Sequence, residues 1–158
     1  MCSNLKISNT TKWYKKQGLV FSSDIKKGSV CTLLTNKGFQ QLKFGVEGKF
    51  TVINARIETV DVKFKSIINN RCVIIVDEFY EFSKQEGRMY RFYTGKPILL
   101  AGLYKNDQFL LLTKPSNKIC QRLPVVLDKV SYKLWLTEPF DNVKPVLLTE
   151  QDLNMEVV

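Results

Sequence analysis

Five short apolar or alternating runs constrain the fold more than anything else in the chain: Arg71–Val76, Phe79–Ser83, Met89–Thr94, Ile98–Tyr104 and Gln108–Thr113. They are rich in β-branched and aromatic residues and are joined by turn signals such as Gln85-Glu86-Gly87 and Asn106-Asp107. Such runs and spacings predict strands of a largely antiparallel, curved sheet, so the fold class expected is α+β with the sheet dominant.

The flanking regions fit around that sheet. Val30–Leu34, Gln41–Val46 and Phe50–Asn54 are further short runs broken by Gly38, Gly45 and Gly48, which is strand-and-turn punctuation. From Glu58 to Asn69 the acids come first and the lysines later, an order that suits a helix dipole. Asp128 is placed to cap a second helix running to about Leu136, with Val130, Leu134 and Trp135 on its inner face, and Val146–Leu148 reads as a closing strand. Residues 1–29 are polar and lysine-rich, with Trp13, Tyr14 and Phe21 among the lysines and no clean periodicity. They read as irregular structure beside a binding face. At 158 residues, without repeat, linker or low-complexity stretch, one domain over 1–158 is expected.

Composition excludes several classes. A hydrophobic fraction of 44% and a charged fraction of 25% are ordinary for a folded soluble protein. No apolar run reaches the eighteen or so residues of a membrane span, and the start of the chain lacks the apolar segment of a secretory signal. A cytoplasmic location is the expectation. The four cysteines, at positions 2, 31, 72 and 120, form no C-x-x-C pair, and there is no histidine. A metal site is therefore not expected, nor any cofactor, and Cys31 and Cys72 read as buried free thiols of a reducing compartment. The net charge is +9. Residues 1–79 carry 13 basic and 6 acidic side chains, against 11 and 9 in residues 80–158, so the excess lies in the first half. That asymmetry suits a polyanionic partner.

The chemistry concentrates in Cys2. Removal of Met1 would leave an N-terminal amine and a thiol two carbons apart, a 1,2-aminothiol, which closes a five-membered thiazolidine ring with an aldehyde. No internal cysteine can do so. The amine titrates near ~7.7–8.0 and the thiol near ~8.5, so both have a usable nucleophilic fraction at neutral pH. Downstream, Glu81 stands in Phe79-Tyr80-Glu81-Phe82, where alternation sets it on the face opposite Tyr80. Burial there would raise its pKa and suit it to proton transfer. Asn54 and Arg56 lie two apart and share a face if the strand continues that far. An amide can hold the N-terminal amine without adding charge, and a guanidinium can fork onto phosphate. Glu58 reads as a first-turn helix acid and is left outside the catalytic set.

In order, Cys2, Asn54-Ala55-Arg56-x-Glu58-Thr59, Arg71-Cys72 with Phe79-Tyr80-Glu81-Phe82, Ala101-Gly102-Leu103-Tyr104, Thr113, and Ile119-Cys120-x-Arg122-Leu123-Pro124 resemble the SRAP (SOS-response-associated peptidase) domain family over almost the whole chain. The resemblance implies a barrel-like core with a few short helices. It also implies an abasic-site sensor of single-stranded DNA that attaches its N-terminal cysteine covalently to the sugar aldehyde. On it Cys2, Asn54, Glu81 and Cys120 form the catalytic set, while Arg56, Arg122, Phe44, Trp13 and Lys43 contact DNA. Phe44-Gly45-Val46 corresponds to the family's Trp-Gly-Leu, which makes Phe44 the first candidate for a stacking or wedge residue. The partner expected is single-stranded DNA containing abasic sites, bound by a monomer.

One position departs from the pattern. Cys120 stands where the family usually carries a histidine, so a thiol titrating near ~8.5 replaces an imidazole titrating near ~6.5. Proton transfer then falls to Glu81. Two other functions remain open at this point: a noncovalent single-strand-binding module that lost its chemistry with the histidine, and a peptidase limited to removing Met1. General cysteine proteolysis lacks the Cys–His pair it needs.

Overall fold

The computed structural model describes residues 2–158, and its centre is a closed barrel. In chain order the strands are β1 Asn4–Lys6, β2 Asp24–Ile25, β3 Val30–Thr35, β4 Gly38–Phe44, β5 Asn54–Arg56, β6 Arg71–Ser83, β7 Arg88–Lys105, β8 Gln108–Pro115, β9 Arg122–Pro124, β10 Val126–Leu127 and β11 Asn154–Val157. The order β7-β8-β4-β3-β6 closes on itself through a β6–β7 pairing. All of these neighbours are antiparallel except β4 and β8, which run parallel. The α+β reading with a barrel-like core holds, as a mixed barrel with extra strands outside it.

The five runs of the sequence merge into three long strands. Arg71–Val76 and Phe79–Ser83 are one strand, β6, whose register against β7 slips between Val76 and Glu78. Between those two pairs Asp77 stands against residues 94–97 of β7, and it accepts hydrogen bonds from Ser8 N (2.7 Å), Thr10 N (3.0 Å) and Thr10 Oγ1 (2.8 Å). A bulge that re-aims one side chain is its usual use. Here it orders the lysine-rich start of the chain, which is not irregular as the sequence suggested. β1 pairs with β6, helix α1 (Thr11–Lys16) follows, and Leu5, Ile7, Tyr14 and Ile25 are buried. Aperiodic sequence hid these short elements because each buries only one or two side chains.

Both faces of the barrel wall are covered, which is why its strands read as nearly continuous apolar runs. Cys31, Leu42, Ile74, Leu100 and Phe109, one from each barrel strand, belong to the interior cluster. Val73, Ala101, Leu110 and Leu112 face the other way, beneath Trp135, Phe140, Val143 and Leu147. These four come from α3 (Ser131–Thr137) and α4 (Phe140–Leu147); the short α2 (Val60–Lys63) adds Val60. Gly102 marks the tightest point of the wall. A Cβ there would lie 2.6 Å from Leu110 O and 3.0 Å from Cys72 Sγ, so only glycine fits.

Four local expectations are corrected. Val146–Leu148 is not a strand, because Phe140, Val143 and Leu147 recur at helical spacing and carry Val146 into α4. The helix over Glu58–Asn69 shrinks to α2 and a 3-10 turn at Lys65–Ile67, broken where Phe64 takes φ −121° and ψ 31°. Phe50–Asn54 is mostly loop, closed by a bridge between Val46 and Val52. Val130 is 69% exposed rather than on an inner face. Asp128 does hold the entry to α3, accepting from Val130 N (2.9 Å) and Ser131 N (2.7 Å).

Candidate functional site

At the Ser83 end of β6 the alternation foreseen for Phe79–Phe82 is present: Phe79, Glu81 and Ser83 are buried and Phe82 is exposed. Glu81, 2% exposed, is carried toward the interior cluster that holds Cys2 and Cys120. Burial pushes its carboxyl up to about 7, opposed in part by a hydrogen bond with the Cys2 thiol. A carboxyl with that pKa holds its proton in about half of the molecules at neutral pH.

Cys2 sits beside it. Its thiol lies 3.9 Å from Tyr80 O, and Asn54 Nδ2 donates to Cys2 O at 3.1 Å. The same amide group donates to Ile53 O at 2.8 Å, which fixes its orientation. The amide thus grips the backbone of Cys2. Burial raises the Cys2 thiol well above its ordinary pKa, and the nearby Glu81 carboxylate raises it further. Cys120 joins from the loop before β9, its thiol 3.9 Å from Glu81 O and pushed up to about 11, first by burial and then by Glu81. The four residues Cys2, Asn54, Glu81 and Cys120, spread over 119 positions of the chain, therefore meet in one corner.

A cleft of about 130 Å³ opens beside them, lined by Arg56, Glu81, Phe82, Lys84, Cys120, Gln121 and Arg122. Arg56 reaches it because β5 lies parallel to β8 with Asn54 opposite Leu111 and Arg56 opposite Thr113, so Asn54 and Arg56 share a face as expected. Arg122 is held by two bonds of 2.8 Å to the carboxylate of Glu58 and by Thr113, through Oγ1 at 3.2 Å and O at 3.0 Å. Glu58 is thus an ion-pair partner of Arg122, and its carboxyl is lowered by that bond.

The other DNA-contact candidates stand elsewhere. Phe44 is fully buried with its ring stacked on Phe109 at 4.9 Å, and a base cannot reach it. The stacking expectation for Phe44 is corrected: the strand alternation of β4 turns the ring into the barrel. Gly45 next to it takes φ +118°, and a Cβ there would meet Thr51 at 2.8 Å, so the glycine serves the turn. Lys43 pairs with Glu47 at 3.7 Å. Trp13, 37% exposed on α1, packs edge-on against Tyr14 at 5.0 Å. Neither lines the cleft. Phe82 does, and sequence reading passed it over. Its signal was available: if Glu81 points inward, alternation turns Phe82 outward.

Among the described residues no group of acidic, cysteine or histidine side chains is arranged to hold a metal ion, and no helix is long and apolar enough to cross a membrane. With this geometry in view, the comparisons give the class. The family model "SOS response associated peptidase (SRAP)" matches residues 34–158. The chain belongs to the SRAP family, and with it to the DNA-damage response for which that family is named. Solved structures share the fold. A phage-related protein from Bordetella bronchiseptica superposes with a TM-score of 0.77 at 20% identity, over 99% of this chain and 94% of that one. A second protein from Bordetella bronchiseptica gives 0.76 at 19% identity over 99% of both chains. A protein from Bacteroides thetaiotaomicron gives 0.71 at 16% identity, over 97% of this chain and 84% of that one. No curated protein matches the chain in sequence.

Proposed function

We propose that the chain traps abasic sites in single-stranded DNA through a thiazolidine formed by Cys2 once Met1 has been removed. The observation that carries this reading is the meeting of Cys2, Asn54 and a Glu81 carboxyl poised at about 7 beside a cleft that holds Arg56 and Arg122.

Hydrolysis of the Met1–Cys2 peptide bond consumes one water and frees the α-amine. That amine adds to the aldehyde carbon of the ring-opened sugar to give a carbinolamine. Protonated Glu81 delivers a proton to the departing hydroxyl, water leaves, and an imine forms. The Cys2 thiol then adds to the imine carbon while its proton passes to nitrogen, by way of the Glu81 carboxylate. The net change is amine plus thiol plus aldehyde giving thiazolidine plus one water. Asn54 holds the backbone of Cys2 so that nitrogen and sulfur face one carbon. Arg56 neutralises phosphate, and Arg122, oriented by Glu58 and Thr113, does so in the same cleft. Phe82, 51% exposed, offers its ring to an unpaired base. Cys120 takes no part as a proton shuttle, because its thiol at about 11 stays protonated.

The test is the intact mass of the purified protein before and after mixing with an abasic oligonucleotide. The mature protein should lack one methionine residue and gain the mass of the strand minus one water. Retained Met1, or equal yields of denaturant-resistant conjugate from wild type and Cys2→Ser, would overturn the reading. Salt-sensitive binding to abasic and intact strands alike, without a conjugate, would instead support a noncovalent single-strand-binding module.

A further inference from the structure

Residues 1–46 carry eight lysines, no arginine and one acid, Asp24. Half of these lysines are gathered in one place: Lys12, Lys15 and Lys16 are exposed on α1, and Lys37 is exposed in the turn between β3 and β4. Two large rings stand among them. Trp13 of α1, 37% exposed, and Phe39 of β4, 49% exposed, lie with ring centroids 6.1 Å apart and planes inclined by 57°. They wall an open apolar wedge. Its base is fixed, because Tyr14 packs edge-on behind Trp13 at 5.0 Å, donates from its hydroxyl to Ile75 O at 3.0 Å, and is itself buried. The charges around the wedge gain nothing for the free chain. Lys12 and Lys16 stand one helical turn apart, a like-charge pair that weakens a helix, and among the described residues none of the four lysines pairs with an acid.

We infer that α1 and the tip of the β3–β4 hairpin form a docking surface for an acidic segment of a partner protein. One apolar side chain of that segment seats between Trp13 and Phe39, and its carboxylates face Lys12, Lys15, Lys16 and Lys37. The excess of lysine over acid sets the sign of the partner, and a half-exposed tryptophan on a fixed base is the kind of residue that anchors such a contact. Three observations favour a peptide over nucleic acid. Rings inclined by 57° cannot sandwich a flat base, whereas a side chain fills the wedge between them. The cations are all lysines, while the cleft presents Arg56 and Arg122, whose planar forks match phosphate. The surface also stands away from the cleft: Tyr14 meets β6 at Ile75, six residues and roughly 20 Å of strand before Glu81. α1 precedes the residues matched by the family model, 34–158, and the inference does not rest on the chemistry of Cys2.

The test is fluorescence anisotropy of the full chain with a short fluorescein-labelled peptide of glutamates around a central phenylalanine, beside the same peptide with glutamine for every glutamate. The acidic peptide should bind roughly tenfold or more tightly than the neutral one, and that preference should shrink as salt screens the surface charges. Trp13→Ala should weaken the acidic peptide by roughly thirtyfold, the loss of one anchor, whereas Trp13→Phe should keep most of the affinity. Phe39→Ala, on a different element, should weaken it by about fivefold and keeps the test open if Trp13→Ala fails to fold. The triple variant Lys12→Gln, Lys15→Gln, Lys16→Gln should lose the preference for glutamate without lowering thermal melting. No binding of the acidic peptide, equal affinity for both peptides, or wild-type affinity in a folded Trp13→Ala or Phe39→Ala protein would overturn the inference. So would oligothymidylate displacing the acidic peptide while Trp13→Ala weakens DNA binding by the same factor, an outcome that makes the surface a nucleic-acid track.

Discussion

The two sides of the barrel treat buried charge differently. On the helix-covered side, Arg71 at the start of β6 donates from Nε to Ile68 O (3.0 Å), and from Nη1 to Trp135 O (2.9 Å) and to Glu138 O. Its guanidinium lies 4.6 Å over the Trp135 ring. Lys114 on β8 donates to Leu147 O (3.2 Å) and Thr149 O (2.7 Å). Each cation thus caps the carbonyl end of a helix, Arg71 that of α3 and Lys114 that of α4, where the helix dipole favours it. Burial lowers both pKa values. At the other end of β6, burial of the Glu81 carboxyl outweighs the interactions that favour its charge, and its pKa moves up to about 7. A buried charge met by strong dipoles fastens the fold. A buried carboxyl whose desolvation outweighs those interactions becomes a group that can exchange protons at neutral pH.

Substitutions that exchange these roles test the contrast. The largest effect is expected from Glu81→Gln, which keeps the shape and removes the proton donor. Crosslinking to an abasic strand should slow by about 10²- to 10⁴-fold. The wild-type rate should pass through a maximum near pH 7, falling above it as Glu81 loses its proton and below it as the amine gains one. An equal rate in the variant from pH 6 to 8 would remove Glu81 from the mechanism.

Stability should respond in the opposite sense. A folded pKa of about 7, above the ordinary carboxylate value, means the folded state binds the extra proton between roughly pH 4.5 and 7. The Glu81 contribution is therefore most favourable below that window and is lost as pH rises through about 7. Denaturant unfolding at pH 5 and pH 8 should show wild type losing up to about 3 kcal/mol relative to Glu81→Gln over that interval. Arg71→Met should cost about 3 kcal/mol at both pH values, because it strands buried carbonyls of α3 without touching the site. Crosslinking by the surviving folded protein should be unchanged.

Cys120→His should raise the crosslinking rate near pH 7 by a few fold and add a second titration to the pH profile, since an imidazole titrates where the Cys120 thiol does not. The smallest effect belongs to Glu58→Gln. The exposed pair with Arg122 contributes at most about 1 kcal/mol to stability. Freeing Arg122 should leave unfolding nearly unaltered while changing the salt dependence of DNA binding.

Legibility followed the same division. The strands of the barrel could be read because a wall buried on both sides needs long apolar runs, and β6 to β8 are such runs. The inward face of Glu81 could be read from alternation in Phe79-Tyr80-Glu81-Phe82, and Asn54 from the Asn54-Ala55-Arg56 string of the family resemblance. The rest depended on distance in space. Phe44 and Phe82 both stand in aromatic, strand-like sequence; alternation separates the two faces of each strand, and only the closed barrel decides which face is core and which lines the cleft. α1 was hidden because Asp77, 66 positions after Thr11, anchors its entry through Thr10.

By itself, then, the chain determined its local chemistry: a cysteine after the first residue, a glutamate within alternating aromatics, a basic first half, and strands punctuated by glycine. These are properties of neighbouring residues and of the extended backbone period. Only the closed barrel decided that Cys2, Asn54, Glu81 and Cys120 share one corner, that Arg122 is engaged by Glu58, and that Trp13 of α1 meets Phe39 of β4. Burial and mutual distance set those relations, and neither exists until the strands have paired.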